Sequence, residues 1–272
     1  MARSVGTSDQ LKRAVALRDL AFPPSNWIHS VEVIDSCPST SDVLRERLKS
    51  DLCDSNLGKV LVARNQTQGR GRETRDWWTG PPDSNIALTA CLSPPEPPLV
   101  AGLLAACAMA KVGEEYSNCK SALKWPNDVL LKNDAGEWAK FCGILSELIA
   151  GQPNRLLVGV GANILQAPPS DVAPYPTTCV GSDVDLGAFL QSFLEEWEKS
   201  WALYQGHGPK ALEKEFFTRL TAWAPKGIRI PEEPDLPTGR LLEFSVSKGL
   251  SWGKADNSIT RPLGLLPSLE AL

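Results

Sequence analysis

Histidine is nearly absent from this 272-residue chain, which has only His29 and His207, far apart in sequence. A histidine-rich metal site is therefore not expected, and a Ser-His-Asp hydrolase would have few candidates for its base. The seven cysteines are scattered, without a close pair of the metal-binding type, which predicts reduced thiols in a cytoplasmic protein. No apolar run approaches the roughly 20 residues of a membrane span. The amino terminus lacks the apolar core of a secretory signal and leaves an organelle transit peptide open.

An excess of positive charge is also missing. Lysine and arginine number 28 against 32 acidic residues, for a net charge of −4. Generic binders of nucleic acids or acidic membranes are usually basic, so neither DNA nor a membrane is an expected partner. The hydrophobic content of 42% is ample for a core in one or two domains.

The positive charges that matter instead lie in one short stretch. Arg70, Arg72 and Arg75 alternate with glycines in the sequence GRGRETRDW, residues 69–77. Arginine presents planar donors that fit phosphate or carboxylate, and glycine lets backbone N–H groups approach an anion closely. Because like charges repel until an anion arrives, this stretch predicts an anion-gripping loop that is costly to leave empty.

A second cluster of polar side chains follows a predicted strand. In the sequence KWPND, residues 124–128, Pro126 forces a tight turn that presents Asn127 and Asp128. The Asp128 carboxylate is a candidate ligand for Mg²⁺, and Lys124 is a candidate contact for phosphate. Further along, Lys140 enters an otherwise apolar strand, and another strand ends in small residues at 159–163, where a flat ligand could approach the backbone.

Hydrophobic periodicity and turn residues predict an alternation of strands and helices. Predicted helices cover about 8–20, 39–49, 99–112, 186–204 and 209–222, and predicted strands cover about 28–34, 59–64, 85–92, 122–125, 129–132, 141–149, 156–164 and 241–246. This order predicts an α+β fold, with a mostly antiparallel mixed sheet and helices on one side. We expect three parts: an N-terminal helical extension (1–26), a main domain (27–222) and a small C-terminal β domain (223–272).

Taken together, these motifs resemble those of biotin–protein ligases. The resemblance is strongest over residues 30–163 and rests on the order of the motifs along the chain. It is carried by Ser39, Thr40 and Ser41, then Gln66 with Gly69–Arg72, Lys124–Asp128, Lys140 with Gly143–Leu145, and Gly159–Asn163. The resemblance implies a fold like that of class II aminoacyl-tRNA synthetases and biotin synthetases, with an SH3-like C-terminal barrel. Residues 27–222 would then be the biotin- and ATP-binding catalytic domain.

What the resemblance implies chemically is a two-step reaction. Biotin reacts with ATP to give biotinyl-5′-AMP and pyrophosphate, and a lysine of a biotin carrier domain, such as that of acetyl-CoA carboxylase, then displaces AMP. Cations are needed because two unit charges about 4 Å apart repel by roughly 4 kcal/mol at an effective dielectric constant near 20. A monomer or homodimer is expected. Since one short helix precedes the first strand, a DNA-binding helix-turn-helix is not expected.

The resemblance also implies roles for individual residues. Lys140, Arg72 and Asp128 would be catalytic, with Asp128 holding Mg²⁺. Apart from the resemblance, we hypothesise that Asp128 assists the acceptor lysine, because an unperturbed lysine amine is almost fully protonated at pH 7. Biotin would contact Ser39, Thr40, Ser41, Gln66, Gly69, Arg70, Arg72, Lys140 and Gly143. ATP or the adenylate would contact Arg70, Arg72, Arg75, Trp77, Lys124, Asn127, Asp128 and Asn163.

Two departures and several alternatives stay open. Thr74 stands where the family usually has glycine, which predicts a less tightly held adenylate, and Ser41 stands where asparagine is frequent. Taken alone, the arginine loop could also be a solvated basic turn or a contact for RNA. Asp128 could only cap the turn after Pro126, and Asn163 could only pack at the end of its strand. For the whole chain, the alternatives are a lipoate or octanoyl ligase or transferase of the same fold, and a non-catalytic binder of biotin or adenylate.

Overall fold

A seven-stranded sheet forms the centre of the molecule. The computed structural model describes residues 27–49, 55–73, 75–254 and 257–272. The strands are β1 (Ser30–Ile34), β2 (Lys59–Ala63), β3 (Ile86–Leu92), β4 (Ser121–Lys124), β5 (Asp128–Lys132), β6 (Trp138–Ile149) and β7 (Gln152–Ala162). Their spatial order is β1-β2-β3-β7-β6-β5-β4. Only the β1–β2 pair in this sheet is parallel, which confirms the predicted mixed, mostly antiparallel sheet.

Helices cover both faces of this sheet. They are α1 (Thr40–Lys49), α2 (Val100–Ser117), α3 (Leu186–His207) and α4 (Lys210–Trp223). Side chains of a strand alternate between faces, and here both sets are apolar. Leu61 packs with Leu44 of α1, whereas its neighbours on β2 join the core formed with the other three helices. The prediction of helices on one side was therefore wrong for α1, because a short, charged helix still buries two leucines.

The long apolar helix α2 extends further than its sequence pattern predicts. The prediction stopped at residue 112, where the apolar run ends, yet the helix continues through a polar last turn to Ser117. Asn118 then adopts a left-handed conformation with φ of 55°, and its N–H donates to the carbonyl of Glu114 at 2.9 Å. Polar cap contacts set this boundary, which hydrophobicity does not report. The predicted helix at 8–20 lies outside the described residues.

The C-terminal strands form two small sheets against the main body. Strands β9 (Arg240–Ser245), β10 (Gly249–Lys254) and β11 (Asn257–Arg261) form one sheet, while β8 (Ile228–Arg229) pairs with β12 (Glu270–Ala271). Phe244 of β9 stacks on Phe216 of α4, with ring centroids 4.6 Å apart. The small sheets therefore share a core with the large one. The boundary at 222/223 stays a prediction. Over the described ranges, the helices lack the combination of length and apolar character that crossing a bilayer requires.

Candidate functional site

The site is a cavity of about 390 Å³ on the α1 side of the large sheet. Its floor includes Thr89, Gly159 and Gly161, which lie on the same face of the sheet as Cys91 and Leu157, two residues that pack on α1. Residues 66, 70–72 and 75–77 of the arginine loop and the turn at 125–127 form further walls. Because β3, β7 and β6 are neighbours, motifs far apart in sequence reach this one space.

Most of the predicted site residues meet at this cavity. Those that line it are Ser39, Thr40, Ser41, Gln66, Arg70, Arg72, Arg75, Trp77, Lys124, Asn127, Asp128, Lys140 and Gly143. Gly69 and Asn163 are not among the lining residues. The Asn163 side chain is buried and donates to the carbonyl of Thr178 at 3.2 Å. The ligand contacts predicted for all of these residues stay predictions, and Thr74 lies outside the described residues.

The arginine loop folds back on itself at the mouth of the cavity. The N–H of Gly71 donates to the carbonyl of Arg75 at 2.7 Å, and that of Trp77 donates to the carbonyl of Gly69 at 2.8 Å. Glu73, between them, has a φ of 55°, in the left-handed region that non-glycine residues rarely adopt. All three arginines of this loop line the cavity.

Carboxylates of the protein pair with these arginines. Asp42 lies 2.7 Å from the Arg70 guanidinium, and Glu73 lies 2.8 Å from that of Arg75 and 3.6 Å from that of Arg72. The expectation that the loop is costly to leave empty was therefore wrong, because acidic side chains offset its charge. An incoming anion would exchange with these carboxylates rather than meet bare cations.

Lys140 is more enclosed than the three arginines of the loop. Its ammonium group is 2.6 Å from the Asp128 carboxylate, and the two side chains are 13% and 21% exposed. Strands β5 and β6 pair here in antiparallel fashion and so hold both residues. The rings of Trp77 and Tyr175 flank the same ammonium, with centroids at 5.4 and 5.2 Å. Cation–π contacts of this kind hold a charge in place while leaving it able to meet a ligand oxygen.

Two paired glycines make room for the Trp77 indole. Gly143 of β6 and Gly161 of β7 are register partners. A Cβ atom at Gly161 would lie 2.4 Å from Cε2 of Trp77, and one at Gly143 would lie 3.0 Å from Cζ3. The indole therefore lies directly against the backbone of both strands, where any larger residue would collide with it.

A cluster of hydroxyl groups lines the cavity where α1 meets β3. Thr40 donates through both its backbone N–H and its hydroxyl to Oε1 of Gln66, at 2.8 and 3.0 Å. Thr89 lies between the hydroxyls of Thr40 and Ser41, at 2.8 and 2.9 Å. This cluster offers neutral polar atoms, whereas Lys140 and the arginines of the same cavity offer positive charge.

The C-terminal segment supplies another part of the wall. Ser268 lines the cavity, as does Trp223 at the end of α4. Lys124 lies 5.8 Å from the centroid of the Trp223 ring. Nearby, the buried Trp125 donates from Nε1 to the carbonyl of Leu266 at 2.9 Å, which ties this segment to the turn before Asp128.

Sequence reasoning missed several lining residues. Thr89, Trp138, Tyr175, Trp223 and Ser268 reach the cavity through tertiary contacts. Of these residues, Thr89 could have been found from the sequence, because it is a polar residue inside the otherwise apolar strand IALTACL. The others stand in loops or at the end of an element, where no local pattern marks them.

Two cysteines next to the site motifs do not supply a reactive thiolate. Burial, followed by the charge of Asp42, raises the pKa of the Cys37 thiol to about 11. Burial also raises the pKa of Cys142, which lies on β6 between Lys140 and Gly143. Since the thiolate is the nucleophile, these side chains are inert packing groups near neutral pH.

A metal ion would have to rely on the substrate for most of its ligands. Within the described ranges, no three His, Cys, Asp or Glu side chains are grouped to hold one. Asp128 and the neighbouring amide of Asn127 still suit Mg²⁺, which commonly takes one or two carboxylates together with substrate phosphates. The residues present therefore fit a magnesium ion that arrives with a nucleotide.

Comparison with known proteins agrees with this arrangement. Residues 33–163 match the model of the biotin/lipoate A/B protein ligase family. The chain is 31% identical over 183 residues to the bifunctional ligase/repressor BirA of Bacillus subtilis, covering 61% of this chain and 54% of that relative. It is 28% identical over 231 residues to the biotin–[acetyl-CoA-carboxylase] ligase of Mycobacterium tuberculosis, covering 81% and 82% of the two chains. The chain thus spans about half the length of the Bacillus relative.

Solved structures share the fold. Biotin protein ligase from Aquifex aeolicus superimposes with a TM-score of 0.69 at 20% identity, covering 89% of this chain and 98% of that one. The same enzyme in complex with biotin and ATP gives a TM-score of 0.71 at 23% identity, covering 89% and 97%. At these identities the likeness establishes the fold, a mixed sheet with flanking helices of the biotin protein ligase type.

Proposed function

We propose that this protein is an ATP-dependent biotin–protein ligase, which forms biotinyl-5′-AMP and transfers biotin to a lysine of a carrier domain. One observation carries the proposal. Arg70, Arg72 and Lys140 line a single cavity together with the neutral hydroxyl and amide groups of Thr40, Thr89 and Gln66. A molecule that carries both a carboxylate and a neutral polar ring matches this combination. The names of the relatives support the same activity.

In the first step, a carboxylate oxygen of biotin attacks the α-phosphorus of ATP, and the bond to pyrophosphate breaks. Both reactants are anions, so the barrier falls if cations offset their repulsion. Lys140 is enclosed beside Asp128 and is placed to stabilise the charge that builds on the α-phosphate. Arg70 and Arg72 exchange their carboxylate partners for ligand oxygens. Mg²⁺, when bound, neutralises phosphate oxygens, with Asp128 and Asn127 as its protein contacts.

In the second step, the amine of the acceptor lysine attacks the acyl carbon of the adenylate, and AMP leaves. An unperturbed lysine amine, with a pKa of about 10.4, is almost fully protonated at pH 7. Asp128 lies at the reaction end of the cavity and is the proposed group that receives or orients this proton. Trp77, Tyr175 and Ser268 also line the cavity and would limit the access of water to the adenylate.

The C-terminal strands also support a finer proposal about the fold. We infer that they form an SH3-like barrel. A backbone bridge between Ile228 and Gly239 joins the two small sheets. A Cβ atom at Gly239 would lie 2.4 Å from the backbone of Gly253, so the strands cross at close range, as in the corner of a small closed barrel.

The test is pyrophosphate exchange into ATP with biotin, octanoate or lipoate as the acid. Exchange that requires biotin supports the proposal, exchange with octanoate or lipoate supports a lipoyl or octanoyl ligase, and exchange with none leaves a non-catalytic binder. The matched variant is Lys140→Ala, which should lower exchange by about a hundredfold or more while biotin binding persists in part. Lys132→Ala on the neighbouring strand, whose ammonium packs 4.2 Å from the Trp138 ring centroid, is the control. Equal activity of the Lys140→Ala variant and the unaltered protein would contradict the assignment.

A further inference from the structure

Thr89 is a buried polar residue that the proposed reaction leaves unexplained. It lies in the middle of β3, is 0% exposed, and is the single hydroxyl residue of the strand IALTACL. Its Oγ1 atom is within hydrogen-bond distance of two other hydroxyls and lines the cavity. Each of the three hydroxyl groups has one proton to donate, so the direction of the hydrogen bonds can be worked out.

The direction is fixed from the Gln66 end. A backbone N–H can only donate, so the atom of Gln66 that lies 2.8 Å from the N–H of Thr40 is its carbonyl oxygen. The Thr40 hydroxyl lies 3.0 Å from the same oxygen and must donate to it as well. That uses the only proton of Thr40. The contact of 2.8 Å between Thr40 and Thr89 can then form only if Thr89 is the donor.

The same reasoning determines the role of Ser41. Thr89 has spent its proton on Thr40, so the contact of 2.9 Å with Ser41 requires the Ser41 hydroxyl to donate. Protons therefore run in one direction, from Ser41 to Thr89 to Thr40 to Gln66. The Ser41 oxygen is left with lone pairs alone, whereas the Gln66 amide keeps both N–H groups of its Nε2.

Ser41 is also well placed to meet a ligand. It lies in α1 and lines the cavity, and it packs over Gly159 of β7, where a Cβ atom would lie 3.1 Å from the Ser41 oxygen. The glycine keeps the space beside the hydroxyl open. A ligand atom that approaches the oxygen must therefore be a hydrogen-bond donor, because an acceptor would face lone pairs in a buried site.

We propose that Thr89 is a positioning residue that sets ligand specificity by holding the Ser41 hydroxyl as an acceptor. The cavity then selects a ring N–H at the Ser41 end. A cyclic urea, with N–H groups beside a carbonyl, fits this polarity, and a ring with oxygen in place of that N–H does not. The inference rests on the proposed function for the identity of the ligand, but the direction of the hydroxyl protons follows from the contacts alone.

The experiment measures binding, so that it does not depend on catalysis. Titration calorimetry compares biotin with two analogues in which one or the other ring N–H is replaced by oxygen. In the unaltered protein, one analogue should bind at least about tenfold more weakly than biotin, because its oxygen faces the Ser41 lone pairs. In Thr89→Val, the freed Ser41 hydroxyl can donate to that oxygen, and the ratio should fall to within about threefold of unity. Thr89→Ser keeps the hydroxyl and should retain the full ratio.

Three results overturn the inference. The first is an unchanged ratio in Thr89→Val, and the second is equal binding of both analogues and biotin by the unaltered protein. If Thr89→Val does not fold, as judged by its thermal unfolding, Ser41→Ala removes the same acceptor without altering β3, and a retained ratio there is the third. Biotin that binds without pyrophosphate exchange would refute the proposed ligase chemistry and leave the hydroxyl order standing.

Discussion

Replacing Gly161 by alanine is a sharp test of how the cavity is built. The added methyl group would lie 2.4, 2.5 and 2.8 Å from Cε2, Nε1 and Cζ2 of Trp77. Non-bonded carbon atoms prefer about 3.5–4.0 Å, so the rigid indole would have to lift by roughly 1 Å. Gly161 lies inside β7 without a positive φ, so the clash with Trp77 decides the outcome rather than backbone strain.

The magnitude follows from two opposing effects. Overpacking costs about 1–3 kcal/mol, and removing a strand glycine returns about 0.5–1 kcal/mol of conformational entropy. Gly161→Ala should therefore lower the free energy of unfolding by about 1–2 kcal/mol in urea titrations. The displaced indole would also move away from Lys140, whose ammonium is 5.4 Å from the ring centroid. A lost cation–π contact of about 1 kcal/mol corresponds to a severalfold rise in KM for ATP in pyrophosphate exchange.

The controls separate the clash from a general effect of alanine. Gly206→Ala, in helix α3 with no atom within 4 Å of the new methyl group, should be neutral or stabilising. In a Trp77→Ala background, Gly161→Ala should cost little, since the obstacle is gone. The reasoning is refuted if Gly161→Ala is as stable as the unaltered protein, or if its cost is the same with and without the indole.

Three further predictions concern groups around the cavity. Asp42→Asn removes the carboxylate 2.7 Å from Arg70, and the KM for biotin in pyrophosphate exchange should fall about two- to fivefold, whereas a rise would show that the pair supports binding. The hydrogen bond from Arg47 lowers the pKa of Glu32 below its ordinary 4.5, so the carboxylate stabilises the fold above about pH 4.5, and this contribution is lost as the pH falls through the lowered pKa. Glu32→Gln should therefore lower the free energy of unfolding by about 0.5 kcal/mol at pH 7 and leave it unchanged near pH 2. A loss of stability that does not depend on pH would contradict this. Trp125→Phe leaves a buried carbonyl without its donor and should lower the free energy of unfolding in urea by about 1–3 kcal/mol, and an unchanged midpoint would show that water replaces the indole.

Much of the fold could be predicted from the sequence because its elements have strong local signals. Strand β3 reads as an apolar run, and helices α3 and α4 follow the predicted ranges closely. The position of α1 could not be predicted from its own residues. Leu44 and Leu48 show that it has an apolar side, but which face of the sheet they cover depends on β2 and β7.

Some features of the site could be predicted from the sequence and others could not. Arg72, Asp128 and Lys140 stand in distinctive motifs, so the sequence alone placed them in one cavity. The pairing of the loop arginines with carboxylates was not predictable. Asp42 belongs to a helix more than twenty residues earlier in the sequence, and Glu73 lies within the loop, where nothing in the sequence indicates that it pairs with Arg75. Residues such as Ser268 reach the cavity only through the packing of the C-terminal segment.

The hydrogen bond between Trp125 and Leu266 has a consequence for biosynthesis. Leu266 lies 141 positions after the tryptophan that it braces, and Ser268 follows it into the cavity wall. While the chain is being made, every other motif of the pocket emerges from the ribosome before this segment does. A nascent chain therefore has its arginines and lysine long before the last wall of the cavity, which is complete only once residue 268 has left the exit tunnel.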